Sequence, residues 1–391
     1  MSRDRAYDVV LFGATGFTGG LTAEYLARHV PPDCRWALAG RNQAKLTAVR
    51  DRLTAINPAC AELPLLHADA DDPPSVRAVA ADARVVATTV GPYIRYGDPL
   101  VAACAAEGTD YLDLTGEPEF VDVTYLRHHT TAVESGARLV HCCGFDSIPY
   151  DLGTLLTVEQ LPSGVPLTVE AFIRVGAAFS GGTYQSAVGV MARRGPAARA
   201  ARQRRAVEPR PEGRRVGSVK RGPHREPVVG RWALPLPTID PMVVRRSAAA
   251  LDRYGPDFRY GHYIALKLPA AIGLAGGATA LIAATKLPPL RSWLLNRVKP
   301  GEGPSEERRA KSWFSVHLVG TGGGERVVTK VAGGDPGYDE TAKMLAESAL
   351  CLAYDELPDT SGQVTTAVAM GDALITRLRG AGMTFSVLDK S

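Results

Sequence analysis

The chain has 391 residues, 45 % hydrophobic and 22 % charged, with a formal net charge of +4. That length exceeds what one hydrophobic core usually serves, so two domains are expected, and the composition is that of an ordinary globular protein. The basic excess lies mainly between Arg193 and Arg225, without interleaved aromatics, which excludes nucleic acid as the expected partner. That Pro/Gly/Arg-rich tract shows no sustained apolar period and reads as a long exposed loop or poorly ordered excursion, either solvated or facing an acidic surface or anionic head groups. Six cysteines, at 34, 60, 104, 142, 143 and 351, form no C-x-x-C pair and no zinc spacing. Cys142 and Cys143, at the end of a buried strand, read as packed thiols, and the pattern as a whole fits a reducing cytoplasm with no metal site. Met1 leads almost directly into the first strand, leaving no room for a signal peptide.

The apolar run Asp8–Phe12 ends in Gly13-Ala14-Thr15-Gly16-Phe17-Thr18-Gly19, and a helix pattern (Leu21, Ala23, Leu26, Ala27) follows at once. Strand, tight turn and helix N-terminus in that order make a pyrophosphate site, because backbone N–H groups and the helix dipole converge there. Gly13 is expected to permit the turn, Gly16 the close approach of phosphates, and Gly19 the packing of helix on strand. Thr15, Phe17 and Thr18 complete the loop. The second strand, Trp36–Gly40, ends in Arg41 and Asn42, where NAD-binding folds usually place an acidic residue for the ribose 2′-hydroxyl. A carboxylate repels a 2′-phosphate, whereas a guanidinium grips it through paired hydrogen bonds, so Arg41, backed by Asn42 and Lys45, points to NADPH. A solvated first-turn arginine is the alternative.

Further strand–helix units follow to about residue 115, the pattern of a doubly wound parallel sheet. After a third strand at Leu63–His67, Asp69 is a candidate for the adenine amine or, equally, a helix N-cap ahead of Pro73 and Pro74. The fourth strand, Arg84–Val90, ends in Gly91-Pro92-Tyr93, beside the nicotinamide half of such a site. Val90, Gly91, Pro92 and Tyr93 are therefore cofactor candidates. Tyr93 also reads as a hydroxyl donor toward substrate, or as an aromatic wall. Strands Tyr111–Leu114 and Arg138–Cys143 come next, the latter closing at Gly144-Phe145-Asp146-Ser147. Asp146 is the second catalytic candidate, with helix capping as its alternative; Glu117, His141 and Tyr184 are weaker ones.

From about Leu167 the character changes. Val169–Val175 alternates like a half-buried strand, and Ser312–Val319 with Arg326–Ala332 reads as a hairpin. A second α/β domain on a mixed or antiparallel sheet is expected over 151–355, after a Rossmann-type domain over 1–150, with 356–391 returning to the first. Ile264–Leu287 is apolar but carries Pro269, Lys267 and three glycines, so it makes a poor spanning helix. A buried helix pair, an apolar wall for a greasy substrate and a surface-lying membrane contact all stay open. Tyr263 and Lys267 satisfy the Tyr-x-x-x-Lys spacing of short-chain dehydrogenases, but about a hundred residues too late in the chain, and are read as coincidence.

The chain resembles the saccharopine dehydrogenase-like oxidoreductases, and within them the trans-acting enoyl reductase branch that works with polyketide synthases in lipid biosynthesis. The likeness rests on the glycine loop, Ala39-Gly40-Arg41, Gly91-Pro92-Tyr93 with Gly97-Asp98, and Tyr111 to Glu117. It continues in Gly144 to Pro149, Ser180 to Thr183, and the tail from Ala369 to Thr384. The resemblance implies a Rossmann domain with an inserted α/β domain, NADPH as reductant, and an apolar or carrier-bound acyl substrate. A polyketide synthase, a second copy of the chain and a membrane surface are the further partners to weigh. Two other functions stand beside it: a redox sensor that binds NADPH without consuming it, and a saccharopine-type amino-acid dehydrogenase. The second needs cationic groups to hold two or more substrate carboxylates, and the segments Phe172–Ser186 and Ile264–Ala284 read as too apolar for it.

Overall fold

In the computed structural model, which describes residues 5–176, 193–274 and 303–391, the chain forms two units. Met1–Asp146 joins Tyr338–Ala381 in one, and Ser147–Gly337 joins Gly382–Ser391 in the other. The first begins with β1 (Tyr7–Phe12), α1 (Phe17–His29), β2 (Trp36–Gly40), α2 (Gln43–Ile56), β3 (Leu65–His67) and α3 (Pro73–Asp82). It continues with β4 (Ala83–Thr88), α4 (Tyr93–Tyr96), α5 (Asp98–Glu107), β5 (Asp110–Asp113), α6 (Pro118–Ser135) and β6 (Arg138–Val140). The strands lie in the order β6-β5-β4-β1-β2-β3, all parallel. Val9, Val10 and Leu11 are wholly buried, as a central strand covered by helices on both faces requires. The strand order reverses at β1, so the ends of β1 and β4 diverge and leave a crevice at the carboxyl edge.

The second unit opens with α7 (Ile148–Glu159) and β7 (Leu167–Val175), then β8 (Arg215–Ser218), β9 (His224–Glu226), β10 (Arg231–Pro235) and β11 (Asp257–Leu266). The hairpin of β12 (Phe314–Gly322) and β13 (Glu325–Gly333) completes its main part. β7 runs parallel to β11 and antiparallel to β12. One face of this mixed sheet takes α7, where a Cβ on Gly153 would stand 2.9 Å from Val331 and 3.0 Å from Leu318. Thr157 Oγ1 meets Thr329 Oγ1 at 2.6 Å on the same face.

The basic tract differs from the loop expected of it. Arg194–Val207 is a helix, and β8 and β9 follow within the tract. Its alanines and arginines are good helix formers, and Gly195 and Pro196 fall in the tolerant first turn. It escaped notice because only a narrow strip packs, with Ala200 and Arg204 buried. Arg204 pairs with Glu208, which Arg246 also holds at 2.8 Å.

The chain then returns to the first unit. The helix Asp339–Tyr354 packs on α1 and β4, burying Met344, Leu345, Ala346 and Ala349 without exposed surface. The strand β14 (Gly362–Val364) extends the parallel sheet beyond β6. Last, β15 (Thr384–Lys390) pairs antiparallel with β13 in the second sheet. The return thus starts earlier than the expected 356, and the final strand belongs to the second unit. Of the apolar segment, Ile264–Leu266 finishes β11 and residues 268–274 are helical, while 275–287 lie outside the described residues. Among the described residues no helix is long and apolar enough to cross a membrane.

Candidate functional site

The glycine loop is closed by its own backbone. Gly13 has φ +100°, a left-handed conformation that a side chain rarely adopts. Its carbonyl accepts from Gly16 N at 3.0 Å and from Thr89 Oγ1 at 3.1 Å, tying the loop after β1 to the loop after β4. A Cβ on Gly19 would fall 2.2 Å from that same carbonyl oxygen, so helix and strand approach here as only glycine allows. Gly16 is different. A Cβ there would meet nothing closer than 3.5 Å, and both Thr15 and Gly16 are exposed. Gly16 is the N-cap of α1 and offers no side chain, so the first N–H groups of the helix are left for an outside acceptor. Phe17 packs edge-on against Tyr338 at 4.9 Å, and the carbonyl of Thr18 accepts from Thr22 Oγ1 at 2.9 Å.

At the end of β2, Arg41 is exposed and makes no ion pair with any described residue. Asn42 caps α2, its Oδ1 accepting from Lys45 N at 2.9 Å. Asp69, after β3, closes a local turn through Asp71 N at 3.1 Å. It does not cap α3, whose N-cap is Asp72. Val90 is half-buried, and Gly91 and Pro92 are exposed at the end of β4.

Tyr93 corrects its sequence reading as a proton donor. It is 7 % exposed, its hydroxyl donates to the Thr88 carbonyl at 3.1 Å and accepts from Leu114 N at 3.2 Å. Burial and the nearby Asp113 charge push its pKa well up. The phenol braces β4 against β5 and is spent there. Glu117 is likewise engaged, accepting from Tyr93 N and Ile94 N at 2.9 and 3.0 Å.

A buried polar network beneath this edge has no sequence signature. Asp113, with no exposed surface, accepts from Tyr111 Oη, Thr115 N and Cys142 N, each at 3.0 Å. It also meets His141 Nδ1 at 2.6 Å. His141 Nε2 lies 3.1 Å from Thr124 Oγ1, which bonds Gln363 Oε1 at 3.1 Å. The Asp–His–Thr order mimics a nucleophile triad, but Thr124 is wholly buried and also bonds the Phe120 carbonyl, so its role is structural. The network holds Cys142 at φ +63°, the only described non-glycine residue with positive φ, as the chain turns off β6. Four residues on, Asp146 stands half-buried in the following loop, where a Cβ on Gly116 would reach within 3.2 Å of its Oδ2. Burial raises its pKa to about 6.

Residues 9–140 match the saccharopine dehydrogenase NADP-binding domain family. Over 97 % of both chains, the sequence is 40 % identical to a Mycobacterium tuberculosis protein provisionally named a trans-acting enoyl reductase. A trans-acting enoyl reductase of Mycobacterium bovis is 39 % identical, again over 97 % of each chain. The chain belongs to the trans-acting enoyl reductase family. In fold it is similar to apo saccharopine dehydrogenase (L-Glu forming) of Saccharomyces cerevisiae, with a TM-score of 0.57 at 12 % identity over 98 % of this chain and 99 % of that one. This trans-acting enoyl reductase family member is an NADP-dependent oxidoreductase, and NADPH is its cofactor. The crevice suits that molecule: uncapped helix N–H groups beside open space at Gly16, and an unpaired guanidinium at the end of β2.

Tyr184 and the Ser180–Thr183 motif lie outside the described residues. Tyr263 sits on β11, buried and stacked on Phe172 at 5.3 Å, whereas Lys267 is exposed. Burial and the neighbouring Glu170 charge raise its pKa, the reverse of the lowering a Tyr–Lys pair requires. Its hydroxyl has no hydrogen-bond partner among the described residues. Tyr263→Phe should leave thermal stability and NADPH-dependent activity within about twofold of wild type; a hundredfold loss of activity would restore the catalytic reading. For Asp146, a pKa raised on folding means that stability is highest below the ordinary carboxyl range and falls as pH rises through about 6. Asp146→Asn, a permanent stand-in for the neutral acid, should match wild type near pH 4 and exceed its melting temperature above pH 6. Parallel melting curves for the two proteins across that window would remove the shift.

Proposed function

We propose that this chain reduces the double bond of a 2-enoyl thioester on a large apolar acyl or polyketide chain made by a separate synthase. The observation that carries the reading is end-to-end similarity, over 97 % of both chains, to relatives named trans-acting enoyl reductases. The backbone N–H groups from Phe17 to Gly19 hold the pyrophosphate, and Arg41 holds the 2′-phosphate with Asn42 beside it. Asp69 flanks the adenosine side, while Val90, Gly91 and Pro92 wall the nicotinamide side. The chemistry the bound cofactor supplies is hydride donation to the β-carbon.

The chain must then see a proton to the α-carbon. Asp146 is the carboxyl at this edge whose burial brings its pKa to about 6, close enough to neutrality to hold and release a proton. A long-chain 2-enoyl thioester should therefore drive NADPH oxidation, with NADH a poor substitute. Arg41→Ala removes a charge-assisted contact of about 1.5–3 kcal/mol, so NADPH should bind roughly 10- to 100-fold more weakly while NADH binding stays unchanged. Tight NADPH binding with no turnover of any enoyl thioester would contradict the proposal and favour the sensor.

A further inference from the structure

In the second unit, Leu318 and Val331 face α7, so the residues next to them in sequence, His317 and Lys330, point to the other face. Register partners run straight across that face: Ser386 on β15, Lys330 on β13, His317 on β12, Phe172 on β7 and Tyr263 on β11. Arg174, two residues along β7 from Phe172, stands diagonal to His317 on the same side. Directly opposed side chains in a sheet have Cβ atoms about 5 Å apart, and like charges placed so are destabilising.

Here a lysine, a histidine and an arginine are gathered with no ion-paired carboxylate among the described residues. Neither Arg174 nor Lys330 makes an ion pair with a described residue. The carboxylates nearest in the sheet are already engaged, Glu170 with Arg221 at 3.7 Å and Asp389 with Arg326 at 3.5 Å. The Arg174 guanidinium stands over the Trp313 ring at 5.6 Å, a contact that uses its flat face and none of its N–H donors. His317 Nδ1 is buried and has no hydrogen-bond partner among the described residues. Burial first, then the charges of Lys330 and Arg174, lower the His317 pKa to about 4. All three side chains keep partial exposure.

We propose that Arg174, His317 and Lys330 form an anion site for the phosphate of a phosphopantetheine arm, the group that carries an acyl thioester. The assignment rests on the enoyl-thioester reading above. An arginine fork, an ammonium and an imidazole N–H together offer the several donors that one phosphate accepts.

Three thioesters of one 2-enoyl chain test it: on a carrier protein's phosphopantetheine, on coenzyme A, and on N-acetylcysteamine, which has no phosphate. In the double variant Arg174→Gln/Lys330→Met, KM for the two phosphate-bearing substrates should rise about tenfold or more. The N-acetylcysteamine thioester should be turned over as by wild type, which also shows that the variant folds. An equal loss on all three, no loss on any, or a loss confined to coenzyme A would overturn the assignment. Independently of turnover, pantetheine 4′-phosphate should raise the His317 pKa followed by NMR in the wild-type protein. An unmoved His317 would refute the site. No turnover of any thioester by wild type, with His317 still responding, would instead refute the enoyl-thioester reading alone.

Discussion

The carbonyl oxygen of Gly13 is the point on which the crevice depends. Gly16 N and Thr89 Oγ1 both donate to it, and Gly19 is pressed so close that a Cβ would stand 2.2 Å away. One acceptor thus fixes three things: the turn out of β1, the entry of α1, and the position of the loop after β4. Because these are locked, the first N–H groups of α1 face outward in a fixed direction. That preorganisation is what lets a helix terminus hold an anion without ordering the loop on binding.

The two sides of the crevice carry opposite electrostatics. On the β2 side stands an exposed, unpaired Arg41, suited to a phosphate that is charged at all physiological pH. On the β5–β6 side, acids are either consumed in structure or pushed toward neutrality. Asp113 and Glu117 each accept several hydrogen bonds, and burial raises Asp146.

The parallel sheet and its glycine loop were legible because they use local signals: β-branched runs, glycine at fixed spacing, a helix directly after. The position of Arg41, exposed directly after β2, was legible for the same reason. The Tyr93 hydroxyl was misread because motif position says nothing of direction; a brace and a donor have the same sequence. The Asp113–His141–Thr124–Gln363 chain was illegible because its members come from β5, the end of β6, α6 and β14, and meet only when the sheet closes. The helix Arg194–Val207 lacked an apolar stripe, its narrow packed strip resting on Ala200 and the paired Arg204. Nor could spacing show that β15 would leave the parallel sheet's unit to pair with β13, since strand pairing across that sequence distance leaves no local signal.

A crystal structure of the NADPH complex tests the account most directly. It should show the pyrophosphate against the N–H groups of Phe17 to Gly19, the 2′-phosphate on Arg41, and the nicotinamide over the ends of β4 and β5. A cofactor whose pyrophosphate lies away from the glycine loop, or whose 2′-phosphate extends into solvent apart from Arg41, would contradict it.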